Sequence, residues 1–194
     1  MRVITGDYKG RKLETPAGSD IRPTTDKVKE AIFNILMNDI YGRVVCDLFS
    51  GTGGLGIEAL SRGASRCYFC DSSRDSINLT KQNVRKCGAE DKSIIIAADY
   101  RRALSKIDGK VDVFILDPPY KAGLYEICLR QIDILDLLSE EGIIVAEHGS
   151  TENMPERVGD LVRAREKRYG KTKISIYRHA GILEKEQTLE EADV

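Results

Sequence analysis

The sequence contains no long apolar run. None of its apolar segments approaches the roughly 20 residues that a helix needs to cross a bilayer. The stretch that begins Met1-Arg2-Val3 also lacks the apolar core of a secretory signal. An integral membrane protein is therefore excluded, and we expect a protein that works in the cytoplasm without a membrane partner.

Net charge is nearly absent as well. The 30 Lys and Arg residues against 31 Asp and Glu residues leave a formal charge of −1. A protein that is basic over its whole surface is excluded, so any contact with nucleic acid must come from a local basic patch. The five cysteines are an odd number, which favours reduced thiols over a disulfide framework.

Metal ligands are scarce. The two histidines, His148 and His179, have no cysteine or histidine partner at ligand spacing. Cys67 and Cys70 fall in one predicted strand and would point to opposite faces of it. We therefore predict no metal site.

Short apolar runs alternate with helical patterns from Gly42 onward. Uninterrupted apolar runs are typical of strands buried on both faces, and the alternation predicts a doubly wound, mostly parallel α/β sheet. The predicted strands are 44–46, 67–70, 94–96, 111–116 and 143–145. The predicted helices between them lie near 55–62, 74–87, 100–106 and 124–138.

Two flanking segments have other patterns. Residues 1–24 predict a small hairpin of two extended pieces joined by a glycine turn, followed by an amphipathic helix over about 25–40. The central domain, 25–180, ends in a second hairpin, which adds an antiparallel strand to the sheet. The tail, 181–194, is acidic and has little to bury, so we predict disorder there.

A glycine loop follows the first predicted strand. Gly51, Gly53 and Gly56 match G-x-G-x-x-G, a weak signal that fits both a dinucleotide and S-adenosylmethionine. Asp47 precedes the loop, and a carboxylate there would repel a pyrophosphate but attract a cationic ammonium. The residues therefore favour S-adenosylmethionine.

Two further acids end the next two strands. Asp71 lies 20 residues after Gly51, where an acid can accept hydrogen bonds from ribose hydroxyls, and Asp99 is placed to accept from an adenine amine. Each alone could be an ordinary polar residue at a strand end. Three acids at the ends of successive strands instead predict a cofactor site, because open α/β sheets bind ligands at this edge.

Asp117-Pro118-Pro119-Tyr120 directly follows the fourth predicted strand. The prolines stiffen the loop, so the Asp117 carboxylate and the Pro118 carbonyl form two fixed acceptors that can grip an exocyclic amine and aim its lone pair. Tyr120 offers a flat face on which a base can stack. A plain turn would explain the prolines but not the flanking acid and aromatic ring. We predict that these four residues are the catalytic centre.

These motifs resemble the class I methyltransferases, and among them the bacterial 16S rRNA guanine-N2 methyltransferase family. The similarity runs from Met1 to about Tyr177. It rests on Asp47-Leu48-Phe49-Ser50-Gly51-Thr52-Gly53, Asp117-Pro118-Pro119-Tyr120, Arg11, Pro16, Arg22-Pro23-Thr24, Ala31-Ile32-Phe33-Asn34-Ile35-Leu36 and the segment Gly56–Ala64.

The resemblance implies methyl transfer from S-adenosylmethionine, with S-adenosylhomocysteine as product, to N2 of a guanine in 16S rRNA or in the assembling small subunit. Residues 25–180 would be the methyltransferase domain, and we expect a monomer. The predicted cofactor site also includes Phe49, Ser50, Ser72, Tyr100, Arg22 and Thr24. The predicted RNA contacts are Arg2, Lys9, Arg11 and Lys12, and a second basic cluster lies near the C-terminal hairpin.

Three alternatives remain open on the residues alone. An adenine-N6 methyltransferase would share the catalytic segment but usually needs a larger target-recognition region. The second is a small-molecule or protein methyltransferase, and the acceptors of Asp117-Pro118-Pro119-Tyr120 argue against it. A non-catalytic nucleotide-binding module would bind NAD and not S-adenosylmethionine.

Overall fold

The computed structural model describes residues 1–16, 26–37, 39–119 and 123–192, and of residues 186, 187 and 189–192 it describes the backbone only. The strands are β1 (Val44–Asp47), β2 (Arg66–Asp71), β3 (Ser93–Ala97), β4 (Val111–Leu116), β5 (Leu138–Gly149), β6 (Arg157–Val158), β7 (Leu161–Tyr169) and β8 (Thr172–His179). The helices are α1 (Asp26–Ile35), α2 (Gly54–Ser61), α3 (Arg74–Cys87), α4 (Tyr100–Leu104), α5 (Leu124–Ile134) and α6 (Ala180–Ala192).

All eight strands form one sheet, in the order β3-β2-β1-β4-β5-β8-β7-β6. The first five in that order pair in parallel, and β8, β7 and β6 are antiparallel to their neighbours. The prediction of a mostly parallel sheet with an antiparallel end is therefore confirmed. The strand order changes direction between β1 and β4, and such a switch point opens a crevice at the carboxyl ends of the strands.

The sheet is buried on both faces. On one face, which we call the α1 face, Val45, Val113 and Ile115 pack with residues of α1, α2 and α3. On the other, the α5 face, Phe114 and Leu116 pack with residues of α4 and α5. This two-sided burial explains why the strands read as uninterrupted apolar runs.

Cys67 lies on the α1 face and Cys70 on the α5 face, as their spacing predicted. All five cysteines are free and buried.

Three helices end earlier than their apolar patterns predicted. Helix α1 ends at Ile35 rather than near residue 40, because the chain turns there and leads into Gly42, which has a φ of 76°. Helix α4 ends at Leu104 rather than 106. Helix α5 ends at Ile134 rather than 138, because Asp136 takes a left-handed φ of 49° and Leu138 already pairs with Val111 in the sheet.

The predicted disorder of the tail is wrong over most of its length, since α6 extends to Ala192. Good helix formers fill this segment, and its first residue is anchored because Ala180 is 9% exposed and donates its N–H to the Asp160 carbonyl at 2.9 Å. None of the helices in the described ranges is long and apolar enough to cross a membrane.

The predicted N-terminal hairpin is present. Arg2 and Lys12 pair in an antiparallel bridge, and Val3 donates its N–H to the Arg11 carbonyl at 3.0 Å. Val3 and Leu13 are 1% and 5% exposed and belong to the core of the α1 face. The hairpin thus packs into the core, and the division of the chain into domains stays a prediction.

A buried ion pair fastens this hairpin to the body. Glu58 on α2 and Lys29 on α1 are both fully buried, 3.3 Å apart. The Glu58 carboxylate accepts the N–H groups of Ile4 at 2.8 Å and Thr5 at 3.0 Å, and Lys29 donates to the Arg2 carbonyl. Sequence reasoning missed both residues, although a charge inside an apolar helical pattern was a visible signal.

Candidate active site

The glycine loop lies between β1 and α2, at the carboxyl edge of the sheet. Gly51 and Gly53 have φ values of 53° and 79°, in the left-handed region that favours glycine. The loop is closed by Gly53, which donates to the Ser50 carbonyl at 2.7 Å, and Ser50 donates to the Cys70 carbonyl at 2.9 Å. The backbone is therefore held in a tight turn that leaves room for a ligand.

Two polar side chains of α3 support the loop from beside it. The Thr80 hydroxyl donates to the Gly51 carbonyl at 3.0 Å, and the Asn83 amide donates to the Thr52 carbonyl at 2.8 Å. Asn83 also exchanges two hydrogen bonds with the backbone of Glu14, just after the hairpin. Both α3 residues are fully buried. Sequence reasoning missed them, although polar residues on the otherwise apolar face of a predicted helix were a visible signal.

Asp47 lies beneath the loop, 1% exposed. Its carboxylate accepts the Gly56 N–H at 2.9 Å. Burial raises the pKa of Asp47 to about 7, the Gly56 hydrogen bond opposes that rise, and the nearby Asp117 and Asp71 carboxylates add to it. Asp47 therefore both fixes the start of α2 and holds a poorly solvated charge under the loop.

Gly56 shapes the site through packing. A Cβ at this position would lie 2.3 Å from the Phe69 ring and 2.7 Å from the Cys67 sulfur. The glycine therefore lets α2 lie closely against β2, which is the usual role of the third glycine in such a loop. Its N–H is already held by Asp47, so Gly56 positions the loop from behind.

Asp71 ends β2 beside the loop. One carboxylate oxygen accepts the Gly51 N–H at 2.9 Å and the other accepts the Ser73 N–H at 2.8 Å. Asp71 is half-buried, so further lone pairs of its oxygens face outward for a hydroxyl donor. Ser72 next to it is exposed.

Asp99 and two aromatic rings complete this side of the edge. Asp99 caps α4 by accepting the N–H groups of Arg101 and Arg102, and its other oxygen lies 3.7 Å from the Arg102 guanidinium. The rings of Phe49 and Tyr100 are half-buried, with centroids 6.2 Å apart. They form an apolar platform between β1 and β3 that suits a flat heterocycle.

The predicted catalytic segment follows β4, on the far side of the switch point. Asp117 is half-buried, Pro118 is buried and Pro119 is exposed. Asp117 lies close enough to Asp47 to raise the pKa of that carboxyl, which places it beside the glycine loop. Tyr120, Arg22 and Thr24 lie outside the described residues, so their roles stay predictions.

Glu147 is a further acid at this edge. Leu116 of β4 is in register with Ala146 of β5, so the next residue along each strand is Asp117 and Glu147. By the alternation along β5, Glu147 shares the α1 face with Ile143 and Val145, and it is 6% exposed. Sequence reasoning missed it, although an acid at the end of a predicted apolar strand was the same signal as in Asp71 and Asp99.

The four predicted RNA contacts of the N-terminal hairpin differ in their surroundings. Arg11 donates to the Lys86 carbonyl at 3.0 Å and lies over the Tyr8 ring. Arg2 faces Asp26 at 3.5 Å. Lys9 and Lys12 are exposed. RNA contact by these residues stays a prediction. In the described part of the chain, no group of three or more His, Cys, Asp or Glu side chains is placed to hold a metal ion.

Known proteins resemble this chain over most of its length. The ribosomal RNA small subunit methyltransferase D of Haemophilus influenzae is 34% identical over 151 residues, 76% of this chain and 78% of that protein. YlbH of Bacillus subtilis, provisionally described as an rRNA methyltransferase, is 44% identical over 184 residues, 93% of this chain and all of that protein.

The fold is shared as well. The yhhF protein of Escherichia coli, provisionally described as a methyltransferase, superposes with a TM-score of 0.83 at 27% identity and covers 92% of this chain and 97% of its own. A family model described as Conserved hypothetical protein 95 matches residues 1–178. Since that match spans nearly the whole chain, the protein belongs to the family of Conserved hypothetical protein 95.

Proposed function

We propose that this protein transfers a methyl group from S-adenosylmethionine to the exocyclic N2 of a guanine in 16S rRNA, acting as a monomer in the cytoplasm on free rRNA or the assembling small subunit. The observation that carries the proposal is the Asp117-Pro118-Pro119 segment at the switch point, directly beside a glycine loop. The names of the two relatives from Bacillus subtilis and Haemophilus influenzae, which describe rRNA methyltransferases, support the same reaction.

The residues present fit S-adenosylmethionine. Gly51 and Gly53 keep the loop free of side chains, Asp71 offers acceptors to ribose hydroxyls, and the Phe49–Tyr100 platform suits an adenine ring. Asp47 places negative charge under the loop, which favours a cation over a pyrophosphate. When bound, the cofactor supplies an electrophilic methyl group on a sulfonium and leaves as the neutral thioether S-adenosylhomocysteine.

Asp117 and the Pro118 carbonyl would accept the two N–H bonds of the target amine. These hydrogen bonds draw the nitrogen from its planar, delocalised form toward a pyramidal form with an available lone pair. The N–C bond forms as the C–S bond breaks, and Asp117 stabilises the positive charge that develops on nitrogen and takes its proton. Because the prolines fix both acceptors in advance, positioning supplies most of the rate enhancement.

Glu147 favours guanine over adenine as the target. Guanine carries an N1–H donor beside its amine, whereas adenine carries an N1 acceptor there. A second carboxylate next to Asp117 matches two adjacent donors and would repel an adenine N1. The adenine-N6 alternative is therefore the weaker candidate.

The test is methyl transfer to small subunits, free rRNA and DNA in parallel, followed by nucleoside analysis. We expect N2-methylguanine in the rRNA. Asp117→Ala should lower kcat on the order of 100-fold or more, while Asp91→Ala, at an exposed acid remote from the carboxyl edge, should leave kcat unchanged. Methyladenine as the product, or an Asp117→Ala variant with normal kcat, would contradict the proposal.

A further inference from the structure

The C-terminal hairpin, formed by β7, β8 and the turn between them, ends at the catalytic edge of the sheet. Strand β8 pairs with β5, and Gly149 at the end of β5 is in register with Thr172 at the start of β8. Ser150 donates its N–H to the Lys171 carbonyl at 2.9 Å, which holds the turn against the end of β5. The turn therefore lies at the same edge as the carboxyl ends of β4 and β5.

Basic residues of β7 share a face with the catalytic acids. Lys167 is in register with Ile174, and Ile174 with Glu147. Arg165 is in register with Ile176 in the same way. Ile174 and Ile176 belong to the α1 face, so both basic residues point to the side of the sheet that carries Glu147. Three strand spacings separate β7 from β4, about 14 Å in all.

The charges on this hairpin are unevenly compensated. Glu166 forms ion pairs with Lys173 at 2.6 Å and Arg163 at 3.5 Å. Within the described ranges, Arg165, Lys167, Arg168 and Lys171 have no carboxylate partner, and all four are exposed. We call these four residues the β7 basic surface: Arg165 and Lys167 on the α1 face, and Arg168 and Lys171 beside the turn at the carboxyl edge.

The strand that carries this surface is an edge. Strand β6 pairs with β7 at Leu161 and Val162, and Arg163 donates its N–H to the Glu156 carbonyl at 2.8 Å. Among the residues that the structure describes, no strand lies on the outer side of residues 164–169. Lysine and arginine on an exposed edge also prevent edge-to-edge association. That role does not require the charges to lie on the catalytic face or at the catalytic edge, whereas docking of a substrate does.

We propose that the β7 basic surface binds the phosphates of the RNA strand that flanks the target base. This inference rests on the proposed function and names the surface that presents the substrate to it. A base must leave its stack to reach Asp117, and the backbone on one side of it then has to cross the edge of the sheet. Contacts to its phosphates would fix the register of the RNA on the protein without recognising the RNA sequence.

The experiment compares two double variants that make the same change in charge. Arg165→Glu/Lys167→Glu alters the proposed surface, and Lys81→Glu/Arg85→Glu alters the exposed side of α3, at the other end of the sheet. Binding of a fluorescent 16S rRNA fragment is followed by anisotropy at several salt concentrations, and kcat and KM are measured for rRNA.

The β7 variant should raise both Kd and KM for RNA on the order of tenfold or more, and the slope of log K against log salt should fall by about 1 per lost contact. Its kcat and its affinity for S-adenosylmethionine should not change, and the α3 variant should bind RNA normally. Equal effects of the two variants, or normal RNA binding by the β7 variant, would overturn the proposal.

Two controls distinguish RNA docking from protection of the edge and from docking of a protein. Arg165→Gln/Lys167→Gln keeps the edge polar; if it is monodisperse yet binds RNA as the wild type does, the surface only protects the edge and the proposal fails. Loss of activity on assembled subunits with unchanged binding of free rRNA would instead indicate a protein partner and also overturn it. Anisotropy tests RNA docking even if the wild type methylates no rRNA, so failure of the proposed function is seen separately.

Discussion

The two hairpins of this protein are both rich in basic residues but are held in the fold differently. The N-terminal hairpin is held by the buried Glu58–Lys29 pair, and its Arg11 is engaged with Lys86 and Tyr8. By ion pairing the two are alike: among the described residues, Arg165, Lys167, Arg168 and Lys171 of the β7–β8 hairpin lack a carboxylate partner, and so do Lys9, Arg11 and Lys12 of the N-terminal hairpin. Basic composition is thus a poor guide to a binding surface until the fold shows where the charges lie.

Their positions differ too. Helix α2 starts at the carboxyl edge of the sheet and runs back toward the opposite edge. It ends at Ser61, whose carbonyl and hydroxyl accept the N–H groups of Asp7 and Tyr8 at 2.8 and 2.9 Å. The turn of the N-terminal hairpin therefore lies near the opposite edge from Asp117. We infer that this hairpin stabilises the body and that the β7–β8 hairpin meets the substrate.

The largest effect should come from Glu58. Glu58→Ala leaves Lys29 charged and buried without its partner, and we expect a loss of about 3–5 kcal/mol in the free energy of unfolding. Urea denaturation measures this, with Glu30→Ala on the exposed side of α1 as the control. Glu58→Gln/Lys29→Met should recover part of the loss, because it removes both charges. A Glu58→Ala variant as stable as the wild type would show that the ion pair does not hold the N-terminal hairpin in place.

Asn83 should connect hairpin docking to cofactor binding. Asn83→Ala removes the three hydrogen bonds to Glu14 and Thr52, and each buried group left unsatisfied costs about 1–3 kcal/mol. We expect a lower midpoint in thermal denaturation and weaker binding of S-adenosylmethionine by calorimetry. Asn78→Ala, at an exposed position of the same helix, should change neither. An unchanged affinity of Asn83→Ala for S-adenosylmethionine would show that docking of the N-terminal hairpin does not affect cofactor binding.

The acid beneath the loop predicts a pH dependence. The pKa of Asp47 is raised to about 7, and a bound cation lowers it, so binding below that pH releases a proton. The Kd for S-adenosylmethionine should be constant above about pH 7 and rise by up to about tenfold per unit below it. Calorimetry from acid to mildly basic pH measures this, and Asp47→Asn should abolish the dependence. A wild-type Kd that does not vary with pH would show that the cation lies out of reach of Asp47.

The smallest effect should come from the N-terminal turn. Lys9→Glu and Lys171→Glu reverse one exposed lysine at the turn of each hairpin. We expect Lys171→Glu to raise the KM for rRNA several-fold and Lys9→Glu to change it less than about twofold, because only the former turn lies at the catalytic edge. Steady-state kinetics at fixed salt give both values. If Lys9→Glu raised the KM more than Lys171→Glu did, the N-terminal hairpin would be the one that contacts the RNA.

Much of the sheet could be predicted because its signal is local. Each strand buried on both faces appears as an apolar run, and the glycine loop and Asp117-Pro118-Pro119 appear as contiguous motifs. Glu58, Asn83 and Glu147 are visible in the sequence as polar residues within apolar patterns. Their roles could not be assigned, because each role depends on a partner far away in the chain. The helix ends were missed where turns such as that at Asp136 override an apolar pattern.

The way Glu58 holds the hairpin has a consequence for tolerance to mutation. Its carboxylate binds the backbone N–H groups of Ile4 and Thr5, and Lys29 binds the backbone carbonyl of Arg2, so no side chain of these three residues takes part. Exposed positions of the hairpin can therefore accept new side chains without loss of these hydrogen bonds. Gly6 and Gly10 are the exceptions, because both have a positive φ and a Cβ on Gly6 would clash with the Ser61 carbonyl. This part of the chain could diverge quickly among relatives, or carry a designed recognition sequence, without loosening the fold.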